Sequence, residues 1–154
     1  MSQVEDKLKE MGLAVPEPPP PGGNYIPVRR TGNVVFLSGV TPSRPDGTPF
    51  VGKLGRDLTV EEGYQAAQNC ALKLLANLKK EIGDLDKVTQ VIKLLGMVNS
   101  DPDFTQPPAV VNGCSDLLVN VYGDKGRHAR SAVGLATLPG GVAVEVEMIA
   151  EVAD

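Results

Sequence analysis

Two segments of this chain, Val34-Val-Phe-Leu37 and Val91-Ile-Lys-Leu-Leu95, are apolar on both faces of a strand, yet only two long amphipathic helical patterns are present to cover them. Successive side chains of a strand point to opposite sides of its sheet. Two helices cover one side. A bare apolar face on the other would be a patch that monomers rarely tolerate. The sequence therefore predicts a sheet with both main helices on one face and a closed homo-oligomer burying the other.

The elements follow from local signals. Ser2 and Glu5 form a capping box, Val4, Leu8 and Met11 share a helical stripe, and Gly12 stops it. Pro16-Glu-Pro-Pro-Pro-Pro-Gly-Gly23 excludes helix and central strand and predicts a polyproline-like connector laying that helix on the body. Residues 1–23 are thus expected to be a helix plus connector, and residues 24–154 one domain. Tyr25 to Thr31 and Asn33 to Thr41 read as strands joined at Gly32-Asn33. Residues 42–58 read as loop with a short strand near Phe50-Val51. Thr59 and Glu62 cap a helix carrying Ala67, Ala71, Leu74, Leu78 and Ile82, closed by Gly83. Val88 to Asn99 is a strand. Pro107 and Pro108 suit the first turn of a helix with Val110, Cys114, Leu117 and Val121 on its buried stripe. Ser131 to Leu138 and Val142 to Val152 are expected to pair as a hairpin across Pro139-Gly-Gly141. The order is β-β-(β)-α-β-α-β-β behind an N-terminal helix, an α+β layer.

Composition narrows the function. A net charge of −4 and 4% aromatic residues leave neither a basic footprint nor a stacking platform for nucleic acid. No apolar run spans a bilayer, and the acidic N-terminus reads as neither signal nor transit peptide. Cys70 and Cys114 lack metal-ligand spacing and fall in helical patterns, as buried inert thiols do. A reducing, cytoplasmic setting is expected. Phosphate-loop, dinucleotide and nucleophile-elbow motifs are absent, and a single histidine argues against a Ser-His-Asp triad.

Arg130 begins a strand and Glu145 lies on what is expected to be the next one. An arginine fork matches a carboxylate, and a partly buried glutamate can activate water. Ordinary readings are a surface arginine and a solvated Glu145/Glu147 pair. Ser38 reads as a satisfied core hydroxyl, with Gly39 beside it allowing close approach of a ligand. Tyr25 reads as a packed amphipathic ring, Asn112 as solvated, and His128 as a surface histidine.

Gly32-Asn-Val-Val-Phe-Leu-Ser-Gly39, Arg130-Ser-Ala-Val-Gly-Leu-Ala-Thr-Leu-Pro139 and Val144-Glu-Val-Glu-Met-Ile-Ala150 together resemble the RidA/YjgF family, formerly labelled endoribonuclease L-PSP. The resemblance runs over residues 24 to 153; the N-terminal helix and Pro connector lie outside the usual core and are similar to a longer branch that carries His-Ala-Arg-Ser-Ala-Val-Gly. It implies a chorismate-mutase-like fold, a homotrimer with a central barrel and clefts between subunits. It also implies hydrolysis of 2-imino and 2-enamino acids to 2-keto acids and ammonia, as in 2-iminobutanoate/2-iminopropanoate deaminases, without metal or cofactor. Carried over by position, Arg130 clamps the substrate carboxylate and Glu145 places water. Tyr25 and Ser38 line the pocket, and Asn112 supports its wall. The expected partners are a small carboxylate or imino acid and two further copies of the chain, with no nucleic acid and no membrane.

Two positions depart from the family pattern: Ala132 and Gly134 stand where a cysteine and a glutamate are common. They imply a roomier, less polar cleft, or a lost reaction. The alternative to a deaminase is therefore a non-catalytic trimeric binder or sensor of small carboxylates. Acidic charge and a lone histidine argue against ribonuclease activity.

Overall fold

The computed structural model describes residues 1–154. α1 spans Gln3–Glu10 and α2 spans Val60–Ile82; both begin in complete capping boxes, Ser2 with Glu5 and Thr59 with Glu62. α2 ends at Gly83, whose φ of 81° suits a residue without Cβ. α3 spans Pro107–Tyr122, and its expected stripe of Val110, Cys114, Leu117 and Val121 is buried. No helix is long and apolar enough to cross a membrane.

α1 is held to the body from both ends. Val4 and Leu8 are buried in the common core. Asp86 accepts from the Gln3 and Val4 N–H groups at 2.8 and 3.1 Å, placing a carboxylate at the positive end of the helix. Lys79 pairs with Glu5 at 2.5 Å.

The strands are β1 (Val28–Thr31), β2 (Val34–Val40), β3 (Val88–Asn99), β4 (Ala129–Leu135) and β5 (Val144–Val152). β1 starts three residues later than its sequence suggests. Pro27 has no N–H to give the ladder, and a turn donates Tyr25 N–H to the Gly23 carbonyl. Phe50-Val51 makes backbone bridges with the segment before β5 but no strand of its own.

The order across the sheet is β1-β2-β5-β3-β4. This corrects the expected hairpin. β4 pairs in parallel with β3, and β5 lies antiparallel between β2 and β3. The connection through α3 delivers β4 beside β3, as a helical crossover between neighbouring parallel strands does. Residues 136–143 then carry the chain past the end of β3, far more than a two-residue hairpin requires. Gly140 and Gly141, at φ 65° and 73°, turn it. Lys53 fastens this connection, donating to Asn99 Oδ1 and to the Ala136 carbonyl.

Val144, Val146, Met148, Ala150 and Val152 of β5 are all buried against the helices. The opposite face is open. Phe36 and Val133 are 46% and 44% exposed there, and Leu95, Met97 and Ile149 are partly bare. The uncovered apolar face expected from the sequence is present.

Candidate functional site

β2 loses register with β5 between Leu37 and Val40. A cavity of about 650 Å³ opens at that break. Its floor is Ser38 to Thr41 with Glu145, one wall is Lys73 and Asn77 of α2, and Pro19–Gly22 and Tyr25 form its roof. Ser38 Oγ donates to the Ile26 carbonyl at 2.8 Å, so it is satisfied as expected while also lining the cavity. Tyr25 folds back on the connector, its hydroxyl accepting from Gly22 N–H at 3.1 Å.

Glu145 has no ion-pair partner. Burial, and secondarily the charge of Glu147 on the same face, pushes its carboxyl above the usual range. Its side chain lies over Gly39: a Cβ there would stand 2.5 Å from Oε2. Gly39 thus makes room for a carboxylate of this chain, where the sequence suggested room for a ligand against the backbone.

Arg130 is outside this cavity, and so is Asn112. Nη1 of Arg130 donates to Asn112 Oδ1 at 2.7 Å and to Ser115 Oγ at 3.2 Å. Asn112 is therefore a partner of the arginine as well as solvated. Ser115 also bonds His128 Nε2 at 2.9 Å, while Nδ1 donates to the Gly126 carbonyl at 2.6 Å. With Nδ1 protonated, Nε2 accepts from the serine. His128 is a built part of the arginine's support, where the sequence suggested a surface residue. Nε and Nη2 of Arg130 carry no bond within the chain, leaving one edge of the fork open.

Arg130 and Glu145 were expected on adjacent strands; β3 separates them. Arg130 shares the row of Leu94 and Met148, on the helix side, whereas Glu145 shares the row of Met97 and Val133, on the open side. One subunit cannot bring the two together. The departures at 132 and 134 also differ from expectation. Ala132 packs against the core. A Cβ on Gly134 would meet Ser100 Oγ at 2.9 Å, so the missing side chain's space is already filled. Both cysteines are fully buried and free, and burial pushes the Cys114 thiol up to about 12.

Lys73 and Asn77 escaped the sequence reading. Lys73 Nζ donates to the Thr41 carbonyl at 2.6 Å and Ser43 Oγ at 2.8 Å, and burial lowers its pKa. Asn77 is 4% exposed and its Oδ1 has no partner. The signal was available: a Lys and an Asn four apart, one turn of one helix face, inside the run Leu72 to Leu78.

A mixed sheet backed by two helices, with a carboxylate over a broken ladder and an arginine on the parallel edge strand, defines an α+β domain of the chorismate-mutase-like kind. Residues 5–152 match the family model described as "YjgF/chorismate mutase-like, putative endoribonuclease". The chain belongs to this RidA/YjgF family. It is 43% identical over 150 residues to protein TCP17 of Trypanosoma cruzi, covering 97% of this chain and 94% of that one. The structure of Atu1372 from Agrobacterium tumefaciens, a protein of unknown function, is 40% identical with a TM-score of 0.91, covering 98% and 93% of the two chains. RidA from an Antarctic Psychrobacter is 25% identical with a TM-score of 0.60, covering 88% and 94%. The match to the Agrobacterium protein takes in the N-terminal helix and connector almost whole.

Proposed function

We propose that this protein hydrolyses reactive 2-imino acids and their 2-enamine tautomers to 2-keto acids and ammonia, in clefts shared between subunits of a homotrimer. The observation that carries the reading is Glu145: a half-buried carboxyl with raised basicity and no partner, facing a cavity. Such a group is tuned for proton transfer. The open edge of Arg130 supplies the complementary need, two parallel N–H donors for a substrate carboxylate. The two lie on opposite faces, so the clamp of one subunit serves the glutamate of the next, and closing the open sheet face around a threefold axis also buries Phe36 and Val133.

In this scheme the enamine takes a proton at carbon from the Glu145 carboxyl and becomes the protonated imine, leaving Glu145 as the carboxylate. Water then adds to the imine carbon, giving its proton to the Glu145 carboxylate. The nitrogen takes that proton and leaves as ammonia as the carbon–nitrogen bond breaks, while the hydroxyl left by the water returns its proton to the Glu145 carboxylate and becomes the keto group. Water is the only co-reactant. The imine is already electrophilic, so placement is the main requirement. Asn112, Ser115 and His128 hold the arginine; Tyr25 and Ser38 border the reacting carbon. Buried free thiols suit the reducing cytoplasm proposed as its setting.

Imines generated in situ by an amino-acid oxidase, with keto-acid release followed in time, test the reading. Wild type is expected to accelerate release, and Arg130→Ala and Glu145→Gln to lower the enzymatic rate at least about 100-fold. Equal rates for wild type, variants and a protein-free control across several imines would remove it. One observation favours a second reading, a non-catalytic holder of small carboxylates: Ala132 and Gly134 put no ionisable group beside Arg130. Binding of 2-oxo acids lost in Arg130→Ala, without turnover, would select it.

A further inference from the structure

The lining of the cavity beside Glu145 contains a single cation, Lys73, and the proposed reaction does not use it. Lys73 is partly buried and belongs to none of the chain's ion pairs. Lysines withdrawn from water are as a rule paired with an anion. Here burial lowers the lysine's pKa and no carboxylate of the chain offsets that effect.

The ammonium is nonetheless held in place. Nζ donates to the Thr41 carbonyl at 2.6 Å and to Ser43 Oγ at 2.8 Å. Ser43 is fixed in turn, its N–H donating to Asn69 Oδ1 at 2.7 Å. Both acceptors on Nζ are neutral, so its charge is left unmatched. An ammonium has three N–H donors, so one of them is left over as well. The rest of the lining does not compete for a ligand's anionic group: Pro19 to Pro21 of the roof have no backbone N–H to offer.

Ligand groups can be sorted against this lysine. An apolar group leaves the ammonium stripped of water and unpaired. A second cation repels it. A neutral carbonyl takes the third N–H and leaves the charge. A phosphate brings up to two negative charges to one ammonium, in a cavity that Glu145 already shares. A carboxylate brings one charge and an acceptor oxygen, which is what Nζ lacks. We infer that Lys73 anchors an acidic side-chain subsite, and that the cavity selects 2-imino acids whose side chain ends in a second carboxylate. This rests on the deaminase reading, which puts the first carboxylate on Arg130 and the reacting carbon beside Glu145.

Calorimetric titration with three stable keto acids tests the subsite. 2-Oxoglutarate and 2-oxoadipate end in a carboxylate; 5-methyl-2-oxohexanoate has an isopropyl group of nearly equal shape where 2-oxoglutarate has its second carboxylate. Wild type is expected to bind at least one of the dicarboxylates about tenfold or more tighter than the isopropyl acid, the worth of one hydrogen bond to a charged group. Lys73→Met should bring that preference to within about twofold, with the isopropyl acid bound as in wild type. A wild type indifferent to the terminal group overturns the subsite before any variant is made. So does a preference that survives Lys73→Met. Equal weakening of all three acids in Lys73→Met would make the lysine a pin for Thr41 and Ser43 alone, and also overturns it. A dicarboxylate preference set by Lys73, with binding indifferent to Arg130→Ala, keeps the subsite and overturns the deaminase reading. Failure of every acid to bind overturns both.

Discussion

Gly39 and Glu145 form a lock that works because one of them has no side chain. The Glu145 carboxylate occupies the volume where a Cβ would stand, with Oε2 at 2.5 Å and Cγ at 3.1 Å from it. A methyl group there moves the carboxylate rather than the backbone, because the glutamate is the flexible partner. Gly39→Ala is therefore expected to lower imine hydrolysis by about 100-fold, the scale of an ångström's misplacement, while thermal melting changes little. Glu145 also makes a statement about pH. Burial and Glu147 raise its folded-state pKa above the unfolded value, so the folded state binds the extra proton. The stabilising contribution is present below the unfolded pKa and is lost as pH rises through the folded one. Glu145→Gln removes the cost of an unpaired buried carboxylate. It should melt above wild type at pH 7 to 8, with the difference closing near pH 4. Melting curves across that range check the sign; a variant less stable than wild type at pH 8 would contradict it.

Between elements, the tightest constraint is the crossing of α2 and α3. A Cβ on Gly113 would lie 1.9 Å from the Tyr64 carbonyl oxygen, a backbone atom that cannot yield, and one on Gly63 would meet Leu54 and Val110. Gly113→Ala must push the helices apart, and denaturant unfolding should show a loss of about 3 kcal/mol or more. Elements of this kind were readable in the sequence. The Thr59–Glu62 box, Gly83 and the Leu74–Leu78 stripe are local signals at fixed spacing, and α2 follows from them. The place of β5 was not readable, because periodicity shows that Val144 to Val152 buries one face but not which strands flank it. Adjacent segments invite a hairpin, whereas the α3 crossover claims β3's free edge for β4. The site divided in the same way. Arg130, Glu145, Tyr25 and Ser38 stood out by type and motif. His128–Ser115–Arg130 did not, since that chain of bonds joins a helix to a strand across the tertiary fold. Asn77 was hidden by the leucines around it.

For the molecule as a whole, the positions of Arg130 and Glu145 give a test that no single-chain site passes. They lie on opposite sheet faces two strands apart, so in the proposed trimer each cleft takes its arginine from one copy and its glutamate from the next. Arg130→Ala and Glu145→Gln homotrimers should each be inactive. Unfolded together in equal amounts and refolded, they assemble at random, and a cleft works when its arginine comes from a Glu145→Gln chain and its glutamate from an Arg130→Ala chain. Each condition has an even chance, so about a quarter of clefts are restored. Keto-acid release by the mixture should return to about a quarter of the wild-type rate, with light scattering reporting three chains per particle. The mixing succeeds only if subunits exchange during assembly, so refolded wild type with a tagged copy serves as the control for exchange. Activity no higher than that of the separate variants, from particles shown to be mixed, would place both residues in one chain's site and break the shared-cleft arrangement.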